Sequence, residues 1–546
     1  MVLSLRRRGA ADNTEDLPFL DNQGTLPQFC RMGLLTDYTT YADARRYFTG
    51  PALWDLFDGN RERLNVTHEC VDRWATDASR VAIHIAYADG SGEALTFANL
   101  SEWAARFAHW LMATGVRPGD RVAIMLEPSL PFYAALFGTM KQGAVAVPLF
   151  TLFGPDGVWL RVDDCAPVLL LTTAEKASEI GTLSGTRVVV ADDAFMDALR
   201  SFDVVFEADT SADGMALFQY TSGTTRDLPA AVRHTHRAIV VVAAAALYGT
   251  GVRPGDRFFC PSSPAWGHGL WHGTLAPLAL GVQTGTMSGR FNPERLLTAL
   301  HDYRITNLSA AATHYRMMKN AVSDVPVKLE KMSFTGEPVD SDTLTFAEAT
   351  FGTRLCSMYG TTEIGVILAD YPGAADYIPK AGALGKPVPG VRVEVQEPDG
   401  TPAAPGRVGE IKVSRHGSWF STKDRGWIDE EGYFWHGGRA DDVIISAGWT
   451  IGPAEVEDAI MKHPAVAEAA VIGVPDETRG QVVKAYIVPR RAADPGLALE
   501  IQELVRTRLS QHEYPRLIEF VTELPKTPAG KVNRKALRER EQQEPA

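Results

Sequence analysis

The chain has 546 residues, 45% of them hydrophobic and 22% charged, with a formal net charge of −13. That length suggests several structural units rather than one. The acidic balance, with charges of both signs scattered along the chain, argues against nucleic acid or an anionic membrane as the main partner, because either would want a basic face.

The first residues, "MVLSLRRRGAADNTEDLPFL", carry arginines but no following apolar run, so they do not read as a secretory signal. Residues 1–50 are read as an N-terminal extension. From Thr96 the spacing of Leu100, Trp103, Phe107 and Leu111 predicts a helix that ends at Gly115. "GVRPGD" then turns the chain into the apolar run "RVAIMLEP", a buried strand. The heptapeptide GVRPGDR occupies residues 115–121 and again 251–257, each time between an alanine-rich helical stretch and a strand, which suggests two related α/β layers. Short apolar strands at 168–173 and 187–192 alternate with helical segments up to about residue 350, as parallel sheets require. From about Gly385 to Gly437 the text turns Pro/Gly-rich with short alternating strands, and a small β subdomain is expected there. A compact α/β pattern resumes after "GGRADDV", placing a boundary near Arg439 to Asp442 and a separate C-terminal domain beyond it.

The five cysteines, Cys30, Cys70, Cys165, Cys260 and Cys356, are odd in number and lack C-x-x-C pairing, so reduced, buried thiols in a cytoplasmic protein are expected. No segment approaches the roughly 18 uninterrupted apolar residues of a membrane span. "AIVVVAAAALYGTGV" is too short.

"YTSGTTRDLPAAVRHTH", residues 220–236, opens with the residue types of an anion-gripping loop. Backbone N–H groups and hydroxyls from Thr221, Ser222, Gly223, Thr224 and Thr225 can meet phosphate oxygens. It is not a Walker A loop, which needs G-x-x-x-x-G-K-[ST]. Further motifs follow in order: "TGEPVD" at 335–340, "MYGTTEIG" at 358–365, "STKDRG" at 421–426, "GRADDVIISAGWTIGPAEVE" at 438–457 and "LPKTPAGKVNRKALR" at 524–538.

Together these motifs resemble the adenylate-forming superfamily, which includes acyl-coenzyme A synthetases, luciferases and the adenylation domains of peptide synthetases. The resemblance runs from about residue 60 to 540 and looks closest to short- and medium-chain acyl-CoA synthetases. It implies an α/β fold: a large N-terminal domain of two stacked βα-type sheets with a small β-barrel subdomain, then a small mobile α+β C-terminal domain. The implied boundaries are 51–438 for the large domain, with its β subdomain at about 351–438, a hinge at 439–441 containing Asp441, and 442–546 for the small domain. The implied reaction has two halves. A carboxylate attacks the α-phosphate of Mg-ATP to give acyl-adenylate and pyrophosphate, and the thiol of coenzyme A then displaces AMP. ATP, Mg²⁺ and CoA are the expected cofactors, with a small carboxylic acid as substrate and no nucleic acid or membrane segment. A homo-oligomer is compatible with the sequence.

Residue by residue, the resemblance implies that Lys531 bridges the carboxylate and the α-phosphate, that Glu363 holds Mg²⁺ together with the hydroxyl of Thr224, and that Thr362 bonds the α-phosphate. Gly336, Glu337, Pro338, Tyr359, Gly360 and Thr361 would surround the adenine and phosphates. Asp424, an acceptor when ionised, would take the ribose hydroxyls with Arg439 beside it. Ser446, Ala447 and Gly448 resemble the wall of the pantetheine tunnel, and Arg516 is a contact for the CoA phosphates. Trp266, Gly267, His268 and Gly360 would line the acyl pocket. Acetate-specific relatives carry bulky residues where Gly267 and Gly360 stand, so these glycines predict room for a larger acid, whether medium-chain, branched, alicyclic or aromatic. His234, His236 and His272 are read as structural, since a carboxylate ionised at neutral pH needs no general base.

Two positions depart from the family pattern. Where relatives read T-S-G-T-T-G-x-P-K-G, this loop has Arg226 for the glycine and Ala230 for the lysine. Arg226, or failing that Arg233, is the expected source of the missing charge. Thr450 stands where many relatives have arginine. The alternatives are an adenylating enzyme that loads a carrier protein and a non-catalytic nucleotide-binding relative.

Overall fold

The computed structural model describes residues 33–220, 231–319, 321, 325–336, 339, 341–361, 364–415, 417–439, 444–490, 495–525, 532 and 534–543. The helix expected after Thr96 spans Phe97–Ala113, capped by the Thr96 hydroxyl, with Leu100, Trp103, Phe107 and Leu111 all buried. The repeated heptapeptide builds the same turn twice. Arg117 N–H donates to Asp120 Oδ2 at 2.9 Å in the first copy, and Arg253 N–H donates to Asp256 Oδ2 at 3.0 Å in the second. Gly119 (φ 85°) and Gly255 (φ 95°) hold the left-handed conformation that lets each turn close.

One sheet has six strands, in the order Arg187–Val190, Leu169–Thr172, Arg121–Met125, Val145–Pro148, Met215–Tyr220, Ala231–Thr235. All pairs are parallel except the last, in which Ala231–Thr235 returns antiparallel to Met215–Tyr220. In the second sheet Phe258–Phe259, Asn307–Ala311, Lys331–Thr335 and Leu355–Thr361 run parallel. Antiparallel strands from Gly365–Ala369 to Phe434–Arg439 continue its hydrogen-bonded path, so the expected β region joins that sheet's edge. Helices Leu130–Gln142 and Ala238–Gly249 lie within the main apolar core, and nearly every side chain of both is buried. A helix apolar all round belongs inside. Among the described residues, no helix is long and apolar enough to cross a membrane.

Residues 444–490 and 495–520 form a separate sheet with its own core, built on the hairpin Val466–Asp476 and Gly480–Pro489 and covered by helices Pro453–Met461 and Pro495–Arg508. It docks on the first sheet's domain through the segment 150–156. Gly154 N–H donates to Leu509 C=O at 2.6 Å, and Asp156 Oδ2 pairs with Lys462 Nζ at 2.9 Å and Arg508 Nη1 at 2.5 Å. The Trp449 ring stacks on His512 (4.2 Å) and meets a tilted Phe150 ring (4.3 Å) across the junction.

Candidate active site

The carboxyl ends of the parallel strands in both sheets lead into the sequence motifs, the usual place for a ligand crevice in open α/β sheets. Strand Met215–Tyr220 ends immediately before Thr221 in the chain. Gly336 follows strand Lys331–Thr335, while Tyr359, Gly360 and Thr361 end strand Leu355–Thr361. Thr221, Ser222, Gly223, Thr224, Thr225, Arg226, Glu337, Pro338, Thr362, Glu363, Asp441 and Lys531 lie outside the described residues.

Among the residues expected at the nucleotide, Asp424 is 3% exposed and accepts from the Tyr359 hydroxyl at 2.5 Å. Its own N–H donates to Thr422 Oγ1. Asp424 and Arg439 are cross-strand partners, which sets the expected ribose pair side by side on adjacent strands. The Oγ1 of Thr361 is buried and has no hydrogen-bond partner among the described residues. A buried hydroxyl in that state is costly unless a ligand or water meets it.

Among the residues expected at the acyl pocket, His268 is held on both ring nitrogens, Nδ1 by Ser262 Oγ at 2.9 Å and Nε2 by Ser309 Oγ at 2.8 Å. Burial holds His268 well below the usual histidine range and brings His234, His236 and His272 down to about 4. All four are neutral near pH 7, which suits wall and packing roles. Trp266 stands at 5.3 Å from the His268 ring.

The two glycines expected to open this pocket do not. A Cβ on Gly267 would come 2.9 Å from Nε2 of Gln219, so the carboxamide of Gln219 already occupies that space. A Cβ on Gly360 would collide with the carbonyl of Gly365 on the neighbouring strand, so this glycine serves a close backbone approach. The expectation of room from these two absences of a side chain is therefore corrected. Gln219 had no motif to mark it: in sequence it is one polar residue in an apolar strand.

The smaller domain reaches the same crevice with a hairpin. Ile444–Ser446 and Trp449–Ile451 are joined by Ala447 (φ 51°) and Gly448 (φ 78°), two consecutive left-handed residues as a two-residue hairpin turn requires. A Cβ on Gly336 would lie 3.4 Å from the Gly448 Cα and 3.5 Å from Trp266 Cη2. Gly336, Trp266 and Gly448 thus converge from three segments and both domains. Arg479 holds the hairpin from behind, its C=O accepting from Ala447 N–H at 2.8 Å and its Nε lying 3.3 Å from Ser446 Oγ. Burial, then the positive field of Arg479, Arg516 and Arg290, brings His512 down to about 3. Arg479, Arg516 and Arg290 thus all lie within electrostatic reach of His512. Sequence reasoning picked out only Arg516 among them.

A family model described as AMP-binding enzyme matches residues 71–419, and one described as AMP-binding enzyme C-terminal domain matches 455–531. The chain is 31% identical to the acetyl-coenzyme A synthetase of Bacillus subtilis (strain 168), covering 87% of this chain and 90% of that one. It is 30% identical to 4-hydroxybutyrate–CoA ligase 1 of Metallosphaera sedula, covering 83% and 86% respectively. Among solved structures it is similar to an acyl-CoA synthetase of Brucella canis, with a TM-score of 0.69, 31% identity and coverage of 93% of this chain and 100% of that one.

Proposed function

This chain belongs to the AMP-binding enzyme family, and we propose that it joins a carboxylic acid to coenzyme A through an acyl-adenylate. It is an acid–thiol ligase that uses ATP, Mg²⁺ and CoA. The observation that carries the two-step reading is the convergence of Trp266, Gly336 and Gly448. It brings the hairpin of the smaller domain against the wall of the proposed acyl pocket.

The first half-reaction brings a carboxylate toward a polyanion, so its transition state needs cations and aimed donors. Lys531 bridges the two, Thr361 and Thr362 offer hydroxyls, and the Thr221–Thr225 loop meets the outer phosphates with Arg226 as its charge. Mg²⁺, held by Glu363 with Thr224, would neutralise phosphate charge. Asp424 receives ribose hydroxyls, its carboxylate oriented by Tyr359 and with Arg439 opposite. In the second half-reaction the pantetheine thiol approaches past Ser446, Ala447 and Gly448. The CoA phosphates then fall to Arg516 and also to Arg479 and Arg290. Asp441 is the hinge between the two arrangements. The four described cysteines are free and buried, which suits a cytoplasmic setting.

The test is to incubate the protein with Mg-ATP and acids from acetate through octanoate, cyclohexanecarboxylate, benzoate and phenylacetate, with and without CoA. CoA-dependent AMP release with a matching thioester is the expected result. Pyrophosphate without thioester would point to a carrier protein as acceptor. ATP binding without any AMP would sink the ligase reading.

A further inference from the structure

Gln219 sits near the end of strand Met215–Tyr220, 1% exposed, on the same face as Leu217 and toward the segment 266–271. Its Oε1 accepts from Trp271 Nε1 at 3.0 Å. An indole nitrogen can only donate, so this bond fixes which end of the carboxamide faces Trp271. The Nε2 group therefore points the other way and lies over Gly267, at 2.9 Å from where a Cβ would begin. Among the described residues Nε2 has no hydrogen-bond partner. Nearby, the His234 ring packs on Trp271 at 4.8 Å, and its own buried Nε2 has no partner among the described residues.

A carboxamide in a residue 1% exposed, with its one described hydrogen bond made through Oε1, leaves its N–H donors for water or a ligand that enters. Here the donor is held by a second residue and given its place by a glycine, so it is built to meet something that enters. Resting on the reading of Trp266, Gly267 and His268 as the acyl pocket, we propose that Gln219 is a specificity-determining residue. Its Nε2 donates to an oxygen on the acyl chain, so the substrate class is carboxylic acids bearing a hydroxyl or keto oxygen beyond the carboxylate. A site that hydrogen-bonds such an oxygen rejects the analogue lacking it, because its own polar group is then left unpaired.

The experiment compares kcat/KM for matched acids: butanoate against 3- and 4-hydroxybutanoate, and pentanoate against 4-oxopentanoate. It uses the wild-type chain, Gln219→Leu and Gln219→Glu, with the KM for ATP measured for each and folding checked by circular dichroism. The expected wild-type preference for the best oxygenated acid is about tenfold or more, as for loss of a hydrogen bond within a buried site. Gln219→Leu should abolish that preference by losing the oxygenated acid while keeping the plain one. Gln219→Glu keeps an acceptor for Trp271 but replaces the donor, so it should reject the keto acid more strongly than the hydroxy acid, whose O–H can donate to it. No preference in the wild type, or an equal fall for both acids in Gln219→Leu, would overturn the proposal and leave Gln219 a packing residue. Absence of acid-dependent pyrophosphate release with every pair would instead bring down the ligase reading, and this proposal with it.

Discussion

The Tyr359 hydroxyl donates to the buried Asp424 carboxylate at 2.5 Å, joining two motifs that lie 65 residues apart in the chain. The bond ties the end of a parallel strand to an antiparallel one, so the carboxylate is oriented before any ligand arrives. Removing the acceptor should therefore harm nucleotide binding more than removing its orienter. Asp424→Ala is expected to raise the KM for ATP by roughly tenfold to a hundredfold, the range for a hydrogen bond to a charged group, and Tyr359→Phe by less. Steady-state kinetics with saturating acid measure both. Equal KM values for Asp424→Ala and wild type would remove Asp424 from the ribose site.

Lys531 is assigned to the first half-reaction alone. Losing one transition-state contact costs about 3–4 kcal/mol, so Lys531→Ala should slow adenylation by hundreds-fold or more. Thioester formation from supplied acyl-adenylate should change far less. Comparable losses in both half-reactions would count against the assignment.

Arg226 is assigned the charge that Ala230 does not supply. Arg226→Ala should raise the KM for ATP while leaving the KM for the acid unchanged. Arg226→Lys should recover part of the loss, because a point charge replaces a forked donor. An unchanged KM for ATP in Arg226→Ala would mean that the loop holds phosphate on backbone and hydroxyl donors alone.

Arg479 and Arg516 flank His512, which is neutral well above its value of about 3, so the positive field there does not titrate near neutral pH. Single alanine substitutions should each raise the KM for CoA several-fold and leave pyrophosphate release without CoA unaffected. The effect should shrink at high salt, as screening requires for exposed charges. Arg479→Ala should also lower kcat for thioester formation, since its Nε contact with Ser446 Oγ on the hairpin is lost.

Asp156 clamps the smaller domain through Lys462 and Arg508. Burial pushes its carboxyl up, but the two cations outweigh that and hold it below the usual carboxylate range. Because docking lowers this pKa, the clamp is fully present above the ordinary carboxylate range and is lost as pH falls through the docked value. Lys462 and Arg508 are partly exposed, so each pair contributes no more than about 1 kcal/mol. Asp156→Asn should slow thioester formation several-fold while sparing adenylation. Single-turnover assays of each half-reaction at neutral pH separate these outcomes.

The sequence by itself determined what depends on local order. Apolar spacing placed the helix Phe97–Ala113, the heptapeptide repeat placed two equivalent turns, and the motifs marked Tyr359 and Asp424, which the fold joins by a hydrogen bond. These signals are legible because helix period, turn chemistry and motif spacing are written in consecutive residues. Tertiary structure alone decided what fills a space. A missing side chain at Gly267 or Gly360 reads in sequence as room, but whether room exists depends on which distant atoms lie along the absent Cα–Cβ bond. At Gly267 it is the Gln219 carboxamide from another strand, and at Gly360 the backbone of the adjacent strand. The same holds for Arg479 and Arg290, which gain meaning only by lying near His512 once the chain is folded. Close packing turns every glycine into a question about its neighbours, and those neighbours are set by the fold.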